Sequence, residues 1–382
     1  MTNWQTKKLG ELLTIRHGRN QREVESADGE YPILGTGGEM GRATKYLYDK
    51  PSVLIGRKGT IDKPRYMDTP FWTVDTLFYS EIKSENVPKF LYYVFNTIDW
   101  KRYNEASGVP SLSASTISTI KVNIPEKREQ QRIVGVLEVW DEYIEKLEQK
   151  IALKEQLKKG LMQQLLTGKR RLPGFSEEWR TYKLGDFLQE PIYKRETNPK
   201  DIELLTVRLH TKGVQASGKF PFATEKGRPY YRRYQGEILV GRQNFHNGGV
   251  GEVTEETNGL IASNAISSYL PKVNADLDFI LFALQRGDFY KRIGHIIGGT
   301  GQKEISPSEF KKLKITMPEL EEQKAIASVI KKSNEDLHTL YEYAKYINQQ
   351  KKYLLRNLIT GTIRTPEDLK PLDRSRLERS AL

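Results

Sequence analysis

Cysteine is absent from all 382 residues, which removes disulfide scaffolds and thiolate metal sites and suits a reducing compartment. No apolar run approaches the length of a membrane span, and Met1 to Gly10 is polar with no hydrophobic signal region. A soluble, cytoplasmic protein is therefore expected. The histidines His17, His210, His246, His295 and His338 are too scattered to make a metal site. Phosphate-cradling G-x-x-x-x-G-K-[ST] is missing, because Gly168-Lys169 and Gly218-Lys219 lack the spacing and the hydroxyl. An Asn/Asp-Pro-Pro-aromatic motif for adenine methylation is missing too.

What is present is a repeat. From Glu126 to Gly168, apolar residues fall at Ile133, Leu137, Trp140, Ile144, Leu147 and Ile151, steps of four and three that describe one helix face. Continued through Leu161 and Leu165, the helix would be roughly 60 Å long at about 1.5 Å per residue, so it needs a partner along its seam. The chain supplies one from Glu319 to Gly361. Pro318 less Pro125, Gln323 less Gln130, Ile326 less Ile133 and Gly361 less Gly168 all equal 193. Trp140 becomes Ser333 and Ile151 becomes Ala344, so large residues stand where the copy has small ones. The expected arrangement is an antiparallel two-helix rod, loosened near Lys154 and Lys158, where Leu153 and Leu157 move the apolar face sideways. A parallel or intermolecular pairing is the alternative.

The rest of the chain repeats as well. Trp4 to Leu13 (WQTKKLGELL) returns as Trp179 to Leu188 (WRTYKLGDFL), 175 residues on. The second copy thus carries 18 more residues between its two anchors, by 193 less 175. Val53-Leu54-Ile55 and Ile238-Leu239-Val240 read as buried strands ending in the same pair, Gly56-Arg57 and Gly241-Arg242. Glycine permits close backbone approach to a ligand, and arginine suits bidentate contact with phosphate or a guanine edge. The following loops differ: Lys58, Lys63 and Arg65 in the first copy; Gln243, Asn244 and His246 in the second.

Aromatic helices are predicted over Pro88 to Tyr103 and Leu277 to Ile293, their apolar residues at core spacing. Glycine loops follow, the second offering Gln302 and Lys303 for a phosphate, although a tight structural turn explains them equally. Ser113 and Ser306 read as N-caps of short helices. Pro125 and Pro318 close the globular parts. The linker after Gly168 (KRRLPGF) leads into the second copy, and the tail from Arg364 is expected to be mobile or weakly docked.

Net charge is +12, from 61 basic and 49 acidic residues, which favours a polyanionic partner over a merely solvated surface only modestly. Asp75 with Glu81 and Lys83 has the residue types of a metal-dependent nuclease, but the second copy has Asn264, Leu270 and Lys272 there. A catalytic reading therefore has no support from the repeat.

The order of these pieces resembles the DNA-specificity subunit of type I restriction-modification systems. The likeness runs to about Gly361 and rests on W-x-x-x-K-L-G in both copies, I-P-E-x-x-E-Q-Q at Ile124 to Gln131 with M-P-E-L-E-E-Q-K at Met317 to Lys324, and L-L-T-G at Leu165 with L-I-T-G at Leu358. The resemblance implies an α+β chain: two globular mixed α/β target-recognition domains separated by two long helices packed as an antiparallel coiled coil, a pseudo-twofold internal repeat. The expected divisions are residues 1–125, the helix 126–168, residues 169–318, the helix 319–361 and a polar tail 362–382. Each globular part would read one half of an interrupted site in double-stranded DNA, with Arg57, Lys58, Lys63, Arg65, Arg242, Gln243, Asn244, His246, Gln302 and Lys303 as candidate contacts. The helices would set the spacing and bind modification (methyltransferase) subunits, with a restriction (endonuclease and translocase) subunit completing the complex. This chain would be non-catalytic and hold no cofactor; S-adenosylmethionine, ATP and Mg would belong to the partners. A coiled-coil scaffold, or a DNA-binding protein without sequence specificity, is the alternative.

Overall fold

A computed structural model describes residues 4–221, 228–296 and 304–369. Two compact units divide the chain: Met1–Glu148 with Glu342–Leu382, and Gln149–Tyr341.

Unit 1 opens with β1 (Gln5–Lys8), the single turn α1 (Leu9–Leu12) and β2 (Leu13–His17). The hairpin β3 (Tyr31–Gly35) and β4 (Gly38–Ala43) leads to β5 (Ser52–Gly56), β6 (Arg65–Met67), β7 (Trp72–Thr73) and β8 (Leu77–Ile82). Helices α2 (Pro88–Thr97) and α3 (Ala114–Thr119) and strand β9 (Lys121–Ile124) precede α4 (Lys127–Leu165). The main sheet has the order β2-β8-β5-β6, beside a second sheet β4-β3-β7 and an antiparallel pair β1-β9. All five residues of β5 are buried, which is why the strand reads as an unbroken apolar run and not an alternating one. Its one hydroxyl, Ser52, is satisfied by donating to the Ser80 carbonyl at 2.7 Å.

Unit 2 runs through β10 (Arg180–Lys183), α5 (Leu184–Phe187), β11 (Leu188–Gln189), the hairpin β12 (Leu205–Val207) and β13 (Val214–Ala216), β14 (Tyr230–Arg232), β15 (Ile238–Gly241) and β16 (Val250–Glu252). Next come β17 (Ile261–Ser263), β18 (Ile266–Pro271), α6 (Leu277–Gln285), α7 (Gly287–Ile296), α8 (Pro307–Lys312), β19 (Lys314–Met317) and α9 (Leu320–Thr360). Its main sheet has the order β11-β18-β15-β16, and β10 pairs antiparallel with β19.

The predicted aromatic helices are cores, but shorter than expected. Phe90, Leu91, Tyr93, Val94 and Phe95 of α2 are buried; the chain then turns extended at Ile98 (ψ 132°) and resumes as a 3-10 turn, Trp100–Tyr103. Buried Trp100 donates its indole N–H back to the Phe95 carbonyl at 2.9 Å, tying the break down. In unit 2 the single expected helix is two, because Arg286 is extended (ψ 131°) and a poor helix former, Gly287, follows. Arg286 donates to the Leu166 carbonyl at 2.8 Å and pairs with Asp288, whose carboxyl that guanidinium holds below its ordinary range. Ser113 and Ser306 cap α3 and α8 by accepting from Thr116 N and Glu309 N.

Helix α4 starts in unit 1 and ends in unit 2; α9 does the reverse. Within unit 1, Asp141 bonds Lys351 and the Tyr143 and Tyr343 hydroxyls meet at 2.9 Å; within unit 2, Glu155 accepts from Tyr341. Numbers rise on one helix as they fall on the other. Leu153 and Leu157 are exposed, as the shifted face implies, yet α4 is uninterrupted through both.

Each unit is closed by one node. Glu129, its side chain 1 % exposed, receives Arg364 through bonds of 2.6 and 2.7 Å; Glu322, 2 % exposed, receives Arg171 through two of 2.6 Å. The guanidinium carbon sits 5.7 Å from the ring centre of Trp4 in unit 1 and of Trp179 in unit 2. Gly361 (φ +75°) and Gly168 (φ +70°) end the long helices left-handed, and a Cβ there would come within 3.1 Å of Trp4 and 3.2 Å of Trp179. Beside the node, buried Gln130 accepts from Val87 N (2.8 Å) and donates to the Pro125 carbonyl (3.0 Å); Gln323 does the same with Asp276 N (3.0 Å) and Pro318 (2.9 Å). The start of the tail is therefore docked, contrary to expectation: Arg364 is paired, and Thr365, 7 % exposed, accepts from Arg132 Nε at 3.2 Å.

Arg171→Ala leaves the buried Glu322 carboxylate without its cation, with the Trp179 indole N–H (3.1 Å) still donating to it, so a destabilisation of about 3 kcal/mol is expected in chemical unfolding, with a smaller loss for Arg364→Ala, whose guanidinium is more exposed. Equal, negligible losses in both variants would contradict the node.

Candidate nucleic-acid interface

The arginines of the two Gly-Arg corners are braced alike, whereas glycine is sterically required only at the first, since a Cβ on Gly241 would come no nearer than 3.7 Å to an atom beyond its chain neighbours. In unit 1 a side chain at Gly56 would collide with the Thr60 carbonyl, a Cβ falling 2.1 Å from it. Arg57 N donates to the Thr76 carbonyl (2.8 Å), its carbonyl accepts from Leu112 N (2.9 Å), and its Nη1 donates to the Asp75 carbonyl (3.2 Å) and carboxylate (2.6 Å). In unit 2, Arg242 N donates to Ala265, its carbonyl accepts from Ile305 N, its Nη1 reaches the Asn264 carbonyl at 3.2 Å and its Nη2 lies 2.6 Å from Glu304. Each side chain is about a quarter exposed, 27 % and 26 %. Both arginines thus brace a strand end against the loop before a short helix, and only part of each guanidinium faces outward.

Around the first corner, Lys58 and Lys63 are exposed. Arg65 is half-buried and donates to the Gly35 (3.4 Å) and Thr36 (3.1 Å) carbonyls, holding the tip of the β3-β4 hairpin beside the corner loop. Lys101, 3.2 Å from Asp62, holds that carboxyl below its ordinary range.

Around the second corner, Gln243, Asn244 and Asn247 are exposed, while buried Phe245 packs edge-on against Phe310, their centroids 5.3 Å apart, and anchors the loop. His246 is half-buried, its Nε2 3.1 Å from Asn247 Nδ2. Against this loop lies the β12-β13 turn, which sequence reasoning missed. His210 and Thr211 are both left-handed, φ +58° and +56°, the only non-glycine residues so among those described. They are held there because His210 N donates to Asn247 O (2.8 Å) and Thr211 N to Gly248 O (2.9 Å). Glycine makes the approach possible: a Cβ on Gly251 would lie 2.7 Å from Gly213 Cα. Arg208, His210 and Lys212 are exposed on this turn. Strain of this kind persists only where the surroundings enforce it, and it collects at functional sites. No motif announces it, since left-handed backbone at His-Thr leaves no mark in composition. Gln302 and Lys303 lie outside the described residues.

The nuclease-like residues do not assemble. Asp75 pairs with Arg57, Glu81 with Arg16 at 2.9 Å, and Lys83 Nζ donates to the Glu11 carbonyl. No group of three or more metal-ligating side chains occurs among the described residues. Nor is any described helix long and apolar enough to cross a membrane.

Comparisons with known proteins agree with this architecture. The type I restriction modification DNA specificity domain family matches residues 1–159 and 176–354. The chain is similar, at 23 % identity over 95 % of its length and 93 % of the relative's, to the type I restriction enzyme MjaVIII specificity subunit of Methanocaldococcus jannaschii. Its fold is like that of the S subunit of a type I restriction-modification system from M. genitalium, with a TM-score of 0.63 at 15 % identity over 94 % of this chain and 96 % of that one. It is also like a chain from a structure concerned with complex assembly and conformational transition of the type I R-M system, with a TM-score of 0.56 at 13 % identity over 95 % and 100 %. The chain therefore belongs to the type I restriction-modification DNA specificity family, and its work is recognition of DNA.

Because the corner arginines brace the fold, Arg57→Ala and Arg242→Ala are expected to lower thermal stability and DNA affinity together, by about 1–3 kcal/mol each for the lost charged hydrogen bonds. Lys58→Ala and Lys63→Ala should lower affinity alone. Melting curves beside DNA titrations separate the two; an unchanged melting temperature in both arginine variants would make the arginines readers only.

Proposed function

We propose that this chain is the sequence-recognition subunit of a type I restriction and adenine-methyltransferase complex, in which each globular unit reads one half of an interrupted DNA site. The observation that carries this is the recurrence, in both units, of one closing node and one braced corner around loops of different sequence. Two copies of one frame with unlike loops are what two unlike half-sites require. A plain scaffold would have no use for such corners.

On this reading the two halves are pseudo-twofold copies, and α4 and α9 form one antiparallel coiled coil that fixes the spacing between half-sites. The helices also carry the modification subunits. Among the described residues, Val139, Tyr143, Tyr343, Tyr346 and Tyr353 are exposed on the helices of unit 1, a large apolar and aromatic display of the kind that marks a protein-binding surface. Catalysis, with its S-adenosylmethionine, ATP and Mg, belongs to the partner subunits. The chain itself supplies recognition and position. Base contacts come from Lys58 and Lys63 in unit 1 and from the paired loops of Gln243–Asn247 and Arg208–Thr211 in unit 2, with Lys212 on a phosphate.

Mapping methylated sites in cells that express this chain with its modification subunit tests the reading: an interrupted motif is expected, and methylation without sequence preference would overturn it. In the same assay His210→Ala or Asn247→Ala should relax discrimination by about 10- to 100-fold at one or two base pairs of one half-site, and leave the other half intact. Lys212→Ala should weaken all sites alike.

A further inference from the structure

In unit 1 the two helix segments and α2 share one charged contact: Asp141 of α4 accepts from the Tyr93 hydroxyl at 2.5 Å and bonds Lys351 of α9. Burial and this carboxylate together push the Tyr93 phenol well above its ordinary range, so the hydroxyl is a fixed donor. The carboxylate is the hub; it joins three elements.

Unit 2 has no such hub. At the repeat register, 334 less 141 and 351 less 158 both equal 193, and 282 less 93 equals 189, the offset of the aromatic helices. Asp141 is thus answered by Asn334, Lys351 by Lys158 and Tyr93 by Phe282. The lysine is kept, but the carboxylate and the hydroxyl that complete the contact are gone. Asn334 Oδ1 is buried with no hydrogen-bond partner. Both Asn334 and Lys158 line a cavity of about 990 Å³.

The rest of that cavity has a consistent character. Lys159, Lys169, Arg286 and Lys291 add positive charge. Its two carboxylates are engaged, Asp288 by Arg286 and Glu155 by the Tyr341 hydroxyl. Met162, Leu337 and the Tyr341 ring give it an apolar floor. Burial pulls the Lys158 ammonium below its ordinary range, Glu155 opposing the shift, so a new carboxylate there would relieve a charge already taken partly out of water. Rotating the Asn334 amide turns its NH2 to the buried position, where it donates to an incoming oxygen.

We propose that this cavity is a docking niche for an acidic, amphipathic segment of the modification subunit, one of whose carboxylates occupies between Lys158 and Asn334 the place that Asp141 fills in unit 1. The proposal rests on the functional reading above for its partner. It is favoured over a phosphate niche because the cavity is apolar as well as cationic, and because the matching place in unit 1 holds a carboxylate.

The test uses the full chain and its cognate modification subunit. A zero-length carbodiimide should couple Lys158, Lys159 or Lys291 to an aspartate or glutamate of the modification subunit. Lys158→Glu should lower affinity for that subunit by at least about tenfold, as loss of a buried charge pairing does. Asn334→Asp should also lower it, by supplying the carboxylate internally, while holding or raising the melting temperature. Lys158→Met, which keeps the apolar stem, guards against misfolding and should weaken binding as well. If wild-type chain binds the subunit and the variants bind equally well, or if the lysines couple only within their own chain, the niche proposal is wrong. A loss confined to duplex DNA affinity overturns it in favour of a phosphate site. Failure of the wild-type chain to bind the subunit at all would instead bring down the functional reading, and the proposal with it.

Discussion

A carboxylate that is almost wholly buried must be paired, and in each unit the pairing arginine arrives on the end of the helix that began in the other unit. Glu129 waits at the start of α4 for Arg364 just after α9; Glu322 waits at the start of α9 for Arg171 just after α4. Leaving either acid alone would cost more than any surface contact could return. Neither unit is complete without both helices, and each helix is gripped at both ends. Its start is held by Gln130 or Gln323, and its end by a left-handed glycine against tryptophan.

That constraint explains which parts of the chain repeat. The W-x-x-x-K-L-G, E-Q-Q or E-Q-K and L-x-T-G segments are separate in sequence, with only Gly168 and Trp179 near neighbours along the chain, and their tryptophan, glutamate and glycine meet at one place in each unit. The lysine and leucine of the first segment serve the adjoining turn: Lys8 N donates to Glu11 (2.7 Å), Lys183 N to Asp186 (2.9 Å), and Leu9 N and Leu184 N to the carbonyls of Ile120 and Leu313 (2.9 Å each). Loops outside the node are free to differ, and they do. A frame of this kind permits a change of recognised bases without a change of fold.

Much of this was legible without coordinates. The helix faces, the constant offset of 193, the buried strands ending in Gly-Arg and the serine caps all leave periodic or positional marks. Other features leave none. Arg171 and Arg364 share the same offset, but they sit in a linker and a tail whose polar composition reads as solvent-exposed. The break at Arg286 has a local mark in Gly287, but it is fixed by the tertiary bond from Arg286 to the Leu166 carbonyl, with a local pair to Asp288, against an apolar period that reads as unbroken. The corner arginines looked like free ligands because arginine serves bracing and recognition through the same donors. The His210-Thr211 turn depends on backbone angles that no residue type there announces.

On the proposed function, helix length sets the spacing of the DNA half-sites, and changing that length tests it. One heptad added to each helix, after Leu147 and after Leu340, keeps the seam in phase and adds roughly 10 Å at about 1.5 Å per residue. With about 10–10.5 base pairs in roughly 34–36 Å of DNA, that is about three base pairs. Mapping of methylated sites should then return the same two half-sites with a spacer about three base pairs longer. Active protein that methylates at the original spacing would contradict the account.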